Sequence, residues 1–354
     1  MMHTSLSAFK SSLVKIRQYV DDLEKKNDII DKAIALPCAS QEIKDDIADL
    51  QKKRNSEKEF DYTVVIVTLY GQYETFIEKS IKEYVKELQH GGYPFSQLPE
   101  KIKGGYFSKG IGLHGKLEWE KYKHLDERII AKSIHEALNQ DIQNILPEAF
   151  YTNGGNYKVD VLAGCLGDLG IENAKQFLCQ YPSLQSYYQG KYGPGVNVNE
   201  KDTEVLYGIV DEVVETRNKI AHTGKVDEIK DKTYVVEMIE FFENFAESMT
   251  MLMQDALCEI KWNNSTSVAF QPVNVFKGPS VAGFKGVEFE VHQNQDCLCC
   301  YPAGHYPKYN ETTILGIEES GNSYINYHLY PNNTNGVGLK MGIDVSQGCK
   351  FKFL

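Results

Sequence analysis

No stretch of this chain approaches the ~20 consecutive apolar residues that a helix needs to cross a bilayer. The first ten residues, MMHTSLSAFK, lack the charged-then-apolar pattern and the cleavage site of a secretory leader. Together these absences lead us to expect a cytoplasmic protein without a membrane partner. The eight cysteines (Cys38, Cys165, Cys179, Cys258, Cys297, Cys299, Cys300 and Cys349) are scattered rather than packed into a small framework, so free thiols are expected. Bulk positive charge is missing as well. At a formal net charge of −11 the chain does not attract nucleic acid as a whole, and any such contact needs a local patch. Nucleotide and hydrolase signatures are lacking: there is no G-x-S-x-G elbow, no Walker glycine-lysine loop and no H-E-x-x-H. The glycine-rich runs GKYGPG and KGIGLHGK do not lie between a strand and a helix, which argues against a phosphate loop.

The 354 residues that are present, 42% hydrophobic and 25% charged, suffice for two domains and a sizeable core. Periodicity predicts an α+β protein in two parts, an all-α bundle followed by a small antiparallel β barrel or sandwich. The boundaries fall at 1–55, 56–262 and 263–354. In the first segment Leu6, Phe9, Leu13, Ile16, Val20 and Leu23 recur in steps of three and four. LPCAS breaks the helix at Pro37 and offers Ser40 as a new N-cap, after which Ile43, Ile47 and Leu50 share a face. That is a helical hairpin, either packed on the body or serving as a short dimerising coiled coil.

A long helix is expected over 60–89, with Gly71 marking close approach of another backbone and Glu74 a partly buried carboxylate in need of a partner. Residues 101–116, KIKGGYFSKGIGLHGK, hold four lysines, two adjacent aromatics and five glycines, and no acid. This reads as a flexible loop, either a solvated surface or a site of RNA contact through Lys101, Lys103, Tyr106, Lys109 and Lys116. Helix returns over 118–145 and 156–171, the latter packing through Val159, Leu162, Cys165 and Leu169. YYQGKYGPG (187–195) reads as a loop, and helices follow at 201–222 and about 231–262, the last with Val235, Ile239, Phe242, Phe245 and Met249 as core.

After NNSTS the composition changes. The last 90 residues carry 12 aromatics, 10 glycines and no arginine, in short alternating runs separated by turns such as PNNTNG. Here Cys297, Cys299 and Cys300 lie between His292 and His305. The C-x-C-C spacing does not match paired zinc ligands, so core packing in a strand is expected, with metal binding as the alternative.

The stretch ETRNKIAHTGKV gathers an arginine, an amide and an imidazole near a helix end. Asn218 and His222, four apart, share a face, and Arg217 can swing its long stem toward them. Gly224 supplies the usual C-terminal cap. RNA cleavage without a metal needs a base for the ribose 2′-hydroxyl, an acid for the leaving 5′-oxygen and a cation for the phosphoryl charge. Histidine and arginine supply those groups, and two copies of a single histidine meeting at a twofold axis supply both base and acid. The alternative is a helix end whose histidine and lysine merely complement the dipole.

The segment VVETRNKIAHTG resembles the signature of HEPN domains, R-x4-6-H with a polar residue directly after the arginine. LYGQYETFIEKSIKEYV resembles the early family helix that carries a glutamate. NYKVDVLAGCLGDLGI resembles the helix ahead of the catalytic one in the RiboL-PSP-HEPN-like branch. The resemblance spans roughly 55–262. It implies a metal-independent, homodimeric endoribonuclease without a cofactor, of the kind found among bacterial toxins and antiphage effectors. Arg217 and His222 carry over as catalytic residues, Asn218 as their polar companion and Glu74 as a helper that orients the arginine. An antitoxin or a phage-derived trigger is the implied partner besides RNA. Position 224 is Gly where some family toxins have the tyrosine of H-x-Y, which argues against control by modification there. A catalytically inactive RNA-binding or assembly module is the alternative within the same family.

Overall fold

The protein is described by a computed structural model covering residues 3–34, 41–151, 156–198, 201–276, 278, 280–333 and 335–354. The break at LPCAS, with Cys38 and the Ser40 cap, lies outside the described residues.

The helices are α1 (His3–Ile34), α2 (Gln41–His90), α3 (Glu100–Gly112), α4 (Glu127–Leu138), α5 (Val159–Asp168), α6 (Ala174–Phe177), α7 (Pro182–Tyr192), α8 (Thr203–Thr223) and α9 (Lys232–Asn264). Helix α1 runs antiparallel to α2. Ser5 bonds Glu83, Phe9 stacks on Phe76 at 4.9 Å, Tyr19 donates to Asp61 and Lys26 pairs with Glu57. Phe9, Leu13, Ile16 and Val20 are therefore buried within the chain, and the stripe is used in packing rather than left for a coiled-coil partner.

Several expected boundaries move. No break separates 41–60 from 60–89: α2 is a single 50-residue helix that runs straight through residue 55. Its interior Gly71 meets nothing within 4 Å of a built Cβ, so close backbone approach is not its reason. The glycine-rich 101–116 run is helix α3 followed by a 3-10 turn at His114–Lys116. Burial of Ile102, Tyr106 and Gly110 at four-residue steps holds it helical despite its glycines. Over 118–145 the α-helix shortens to α4, capped by the Asp126 side chain on the Ile129 N–H at 2.7 Å. Residues 187–192 continue α7, because Leu184 and Tyr188 are buried one turn apart and hold the segment helical; the chain leaves it only at Gly193 (φ 98°).

Compactness divides the chain into two units. One comprises Met1–Glu83, Phe150–Asp168 and Glu172–Thr250, the other Tyr84–Ala149, Leu169–Ile171 and Met251–Leu354. The first unit is cored by aromatics: Tyr73 packs edge-on to Phe242 at 5.0 Å and to Phe245 at 6.0 Å. The buried residues of α9 include Val235, Ile239, Phe242, Phe245 and Met249, the stripe read from sequence.

In the second unit the strands are β1 (Ala269–Phe270), β2 (Asn274–Phe276), β3 (Val281–Phe284), β4 (Phe289–His292), β5 (Asp296–Cys300), β6 (Tyr309–Glu319), β7 (Asn322–Tyr324), β8 (Asn326–Leu329), β9 (Val337–Met341) and β10 (Lys350–Phe353). They form an antiparallel sheet in the order β1-β10-β5-β6-β9-β3-β2, with β7 added to β6 and β4-β8 as a separate ladder. A register shift between Ile314 and Gly316 bends β6, and the sheet curls into a half-barrel. Its edge strands β1 and β2 are not paired to each other, so it is neither a closed barrel nor a two-layer sandwich. Ser320 (φ 51°) and Gly321 (φ 83°) form the two-residue turn from β6 to β7 that a tight hairpin requires. Cys297 and Cys299 point from β5 into the core with Phe351, and no group of three metal-ligating side chains occurs among the described residues. The end of α9 is tied to the sheet by buried Asp255, which accepts from the backbone N–H of Lys308 at 2.8 Å and of Tyr309 at 2.6 Å.

Candidate active site

Helix α8 buries Leu206, Tyr207, Val210, Val213 and Val214. Arg217 and Asn218 come one turn further along that stripe, which leaves both half-buried. The guanidinium carbon of Arg217 lies 4.9 Å from the centre of the Tyr70 ring on α2, and one terminal nitrogen donates to Asn218 Oδ1 at 3.0 Å. Among the described residues no ion pair holds Arg217. Of its five donors, that bond to Asn218 uses one among the described residues.

The carboxylates of α8 explain why they leave the arginine alone. Asp211 accepts from the Val159 N–H at 2.9 Å and so caps α5. Glu215 pairs with Lys158 at 2.5 Å, while Glu212 accepts from the Tyr234 hydroxyl.

His222 sits in the last turn of α8 and is exposed. It makes no hydrogen bond or ion pair among the described residues. The helix end is closed without it: Thr223 Oγ1 donates to the Lys219 carbonyl at 2.8 Å, and the N–H of left-handed Gly224 (φ 68°) donates to the Ile220 carbonyl at 2.8 Å. Gly224 caps the helix as its position suggested, and Thr223 adds a second bond to the last turn.

Tyr70, 1% exposed, is the neighbour that pattern reading missed. Its hydroxyl has no hydrogen-bond partner among the described residues, and the nearby Tyr157 carbonyl accepts instead from Tyr73 at 3.1 Å. Burial, then the charge of Glu74 one turn along α2, pushes the Tyr70 phenol up to about 12, against the opposing pull of the Tyr157 backbone and Arg217. Glu74 is half-buried and acts on the same phenol as Arg217, with opposite sign.

The basic residues expected at RNA fare unevenly. Tyr106 is fully buried, its hydroxyl bonded to Ser133 and to the Leu146 N–H, so it has no face for a base. Lys103 donates to the Ser96 carbonyl at 3.0 Å and to Glu100 at 2.5 Å. Lys101 is exposed. Lys116 lies 5.8 Å from the centre of the Tyr122 ring, as does Lys121, a residue the loop reading did not include. Burial and then the charges of Lys109 and Lys121 lower the Lys116 pKa. These lysines belong to the second unit, while Tyr70, Glu74, Arg217, Asn218 and His222 belong to the first.

The family model described as RiboL-PSP-HEPN matches residues 39–253. No curated protein and no solved structure matches the chain.

Proposed function

Because the chain belongs to the RiboL-PSP-HEPN family, we propose that it is a metal-independent endoribonuclease built on Arg217, Asn218 and His222. The observation that carries this reading is a guanidinium held on two sides, with one donor committed among the described residues, and an imidazole five residues further along α8 that makes none of the bonds closing the helix. Arg217 neutralises the charge that builds on the phosphoryl oxygens, where a planar fork is worth more than a point charge. His222 takes the 2′-hydroxyl proton or protonates the 5′-oxygen. A chain supplies one such histidine, so the complete reaction uses a homodimer in which the partner's histidine fills the other role. Asn218 orients the arginine, and Glu74 biases the same cluster electrostatically.

In this reading Lys101, Lys109 and Lys116 contribute phosphate contacts, and the protein acts in the cytoplasm as a toxin or antiphage effector restrained by an antitoxin or released by a phage-derived trigger. Residues 263–354, the β-rich part, would recognise a trigger, bind RNA or contact a phage protein.

Total RNA incubated with the purified chain in EDTA tests the proposal. Cleavage by the wild type, and at least ~10²-fold less by His222→Ala, is expected. A wild type that shifts RNA on a gel without cutting it would instead identify a non-catalytic RNA-binding HEPN module.

A further inference from the structure

We infer that the ring of Tyr70 is the platform that positions Arg217 for phosphate contact, an assignment that deepens the nuclease reading and rests on it for its catalytic consequence. A guanidinium on a flexible stem binds a phosphate oxygen pair bidentately only if its plane is fixed beforehand. In this chain two contacts fix it. Asn218, the next residue on the same helix, takes one N–H at 3.0 Å, which sets the position of that nitrogen but leaves the plane free to turn about it. The Tyr70 ring comes from a different helix, and at 4.9 Å it removes that freedom by offering its negative face to the cation.

The platform is packed into the core. Tyr70 is 1% exposed, flanked along α2 by Leu69 (0%) and Tyr73 (0%), and Tyr73 is locked by its bond to the Tyr157 carbonyl and by the Phe242 ring at 5.0 Å. The hydroxyl is buried and makes no hydrogen bond to a described residue. The aromatic face is therefore the working part, so phenylalanine serves as well as tyrosine. That separates a platform from a hydroxyl that donates to substrate.

Tyr70 touches no reacting atom and is a positioning residue. Cation–π contacts of this kind correspond to about a 2- to 30-fold change in rate. Single-turnover cleavage of an RNA oligonucleotide in EDTA is compared for the wild type, Tyr70→Phe, Tyr70→Leu and a series with mono-, di- and trifluorophenylalanine at position 70. Tyr70→Phe is expected within about 3-fold of the wild type, and Tyr70→Leu lower by up to about 30-fold. The fluorinated series should fall stepwise in kcat as the ring face loses negative potential, at unchanged melting temperature. A flat fluorinated series, or full kcat in Tyr70→Leu, overturns the assignment, and the fluorinated series stays informative if the leucine variant fails to fold.

If the wild type cuts no RNA, the nuclease reading fails and the platform is still read directly. The chain has four arginines (Arg17, Arg54, Arg128 and Arg217), so the ¹⁵N-labelled guanidinium Nε–H of Arg217 is assignable through Arg217→Lys. A ring-current shift present in the wild type and Tyr70→Phe and lost in Tyr70→Leu supports the platform. No ring-current shift in the wild type refutes it.

Discussion

Asp255→Ala is expected to cost about 3 kcal/mol or more of folding stability. The carboxylate is 8% exposed and accepts two backbone N–H groups, from Lys308 at 2.8 Å and Tyr309 at 2.6 Å, at the point where β6 begins. A hydrogen bond to a charged group contributes about 1.5–3 kcal/mol, and removing the acceptor leaves both donors to find new partners in a partly buried place. Asp255→Asn keeps one acceptor oxygen and should lose about half as much. Urea unfolding followed by tryptophan fluorescence suits the test, because the Trp262 ring lies 6.0 Å from the Tyr309 ring at this junction and Trp119 is the other tryptophan of the chain. With a denaturant slope of about 3 kcal/mol per molar, the alanine variant should unfold about 1 M earlier. A midpoint within about 0.2 M of the wild type for both variants would refute the reasoning.

The pair of Lys10 with Glu247 makes the attachment of α1 sensitive to acid. Burial raises the Glu247 carboxyl, but the bonds from Lys10 and Ser183 outweigh it and the net pKa lies below the ordinary 4.5. A depressed folded-state value means that this stability is present above pH 4.5 and is lost as pH falls through the folded value, so Lys10→Met should flatten that part of a stability–pH curve. Tyr106→Ala should lower stability by about 3–5 kcal/mol through its empty core site, rather than weaken RNA binding in molecules that remain folded. Arg217→Lys should not restore cleavage, and Asn218→Ala should lower it by about 1 kcal/mol of barrier, or about fivefold. Light scattering at micromolar concentration should give a dimer, and a monomer throughout would remove the shared-cleft step.

Much of this was written in periodicity. The stripe on α9 and the buried positions Val159, Leu162 and Cys165 of α5 are where apolar spacing placed them, because burial on one face enforces the 3.6-residue repeat, whereas Leu169 is buried in the turn after α5 ends at Asp168. The α3 segment was misread because glycine content signals a loop in isolation, whereas tertiary burial of Ile102 and Tyr106 overrode propensity. That same override turned Tyr106 from a candidate RNA contact into core. At the candidate site, the grouping of Arg217, Asn218 and His222 near the end of α8 was visible in the sequence. The role of Thr223 and Gly224 in closing α8 was legible only in part, since spacing does not say which side chain takes the last carbonyls. Tyr70 was out of reach, because nothing local pairs residue 70 with residue 217; that contact exists only once α2 and α8 pack. The sheet's curl was likewise hidden in the β6 bulge, which leaves a strand pattern almost intact while shifting its register.

The central claim concerns chemistry at Arg217 and His222, and the ends of the RNA products test it most directly. Mass spectrometry of fragments made in EDTA should show 2′,3′-cyclic phosphates from the wild type, because the neighbouring hydroxyl is the nucleophile, and a loss of at least ~10²-fold in their formation by a folded His222→Ala variant. Fragments formed only after magnesium or manganese is restored, or cyclic phosphates made at the full rate by His222→Ala, would contradict it.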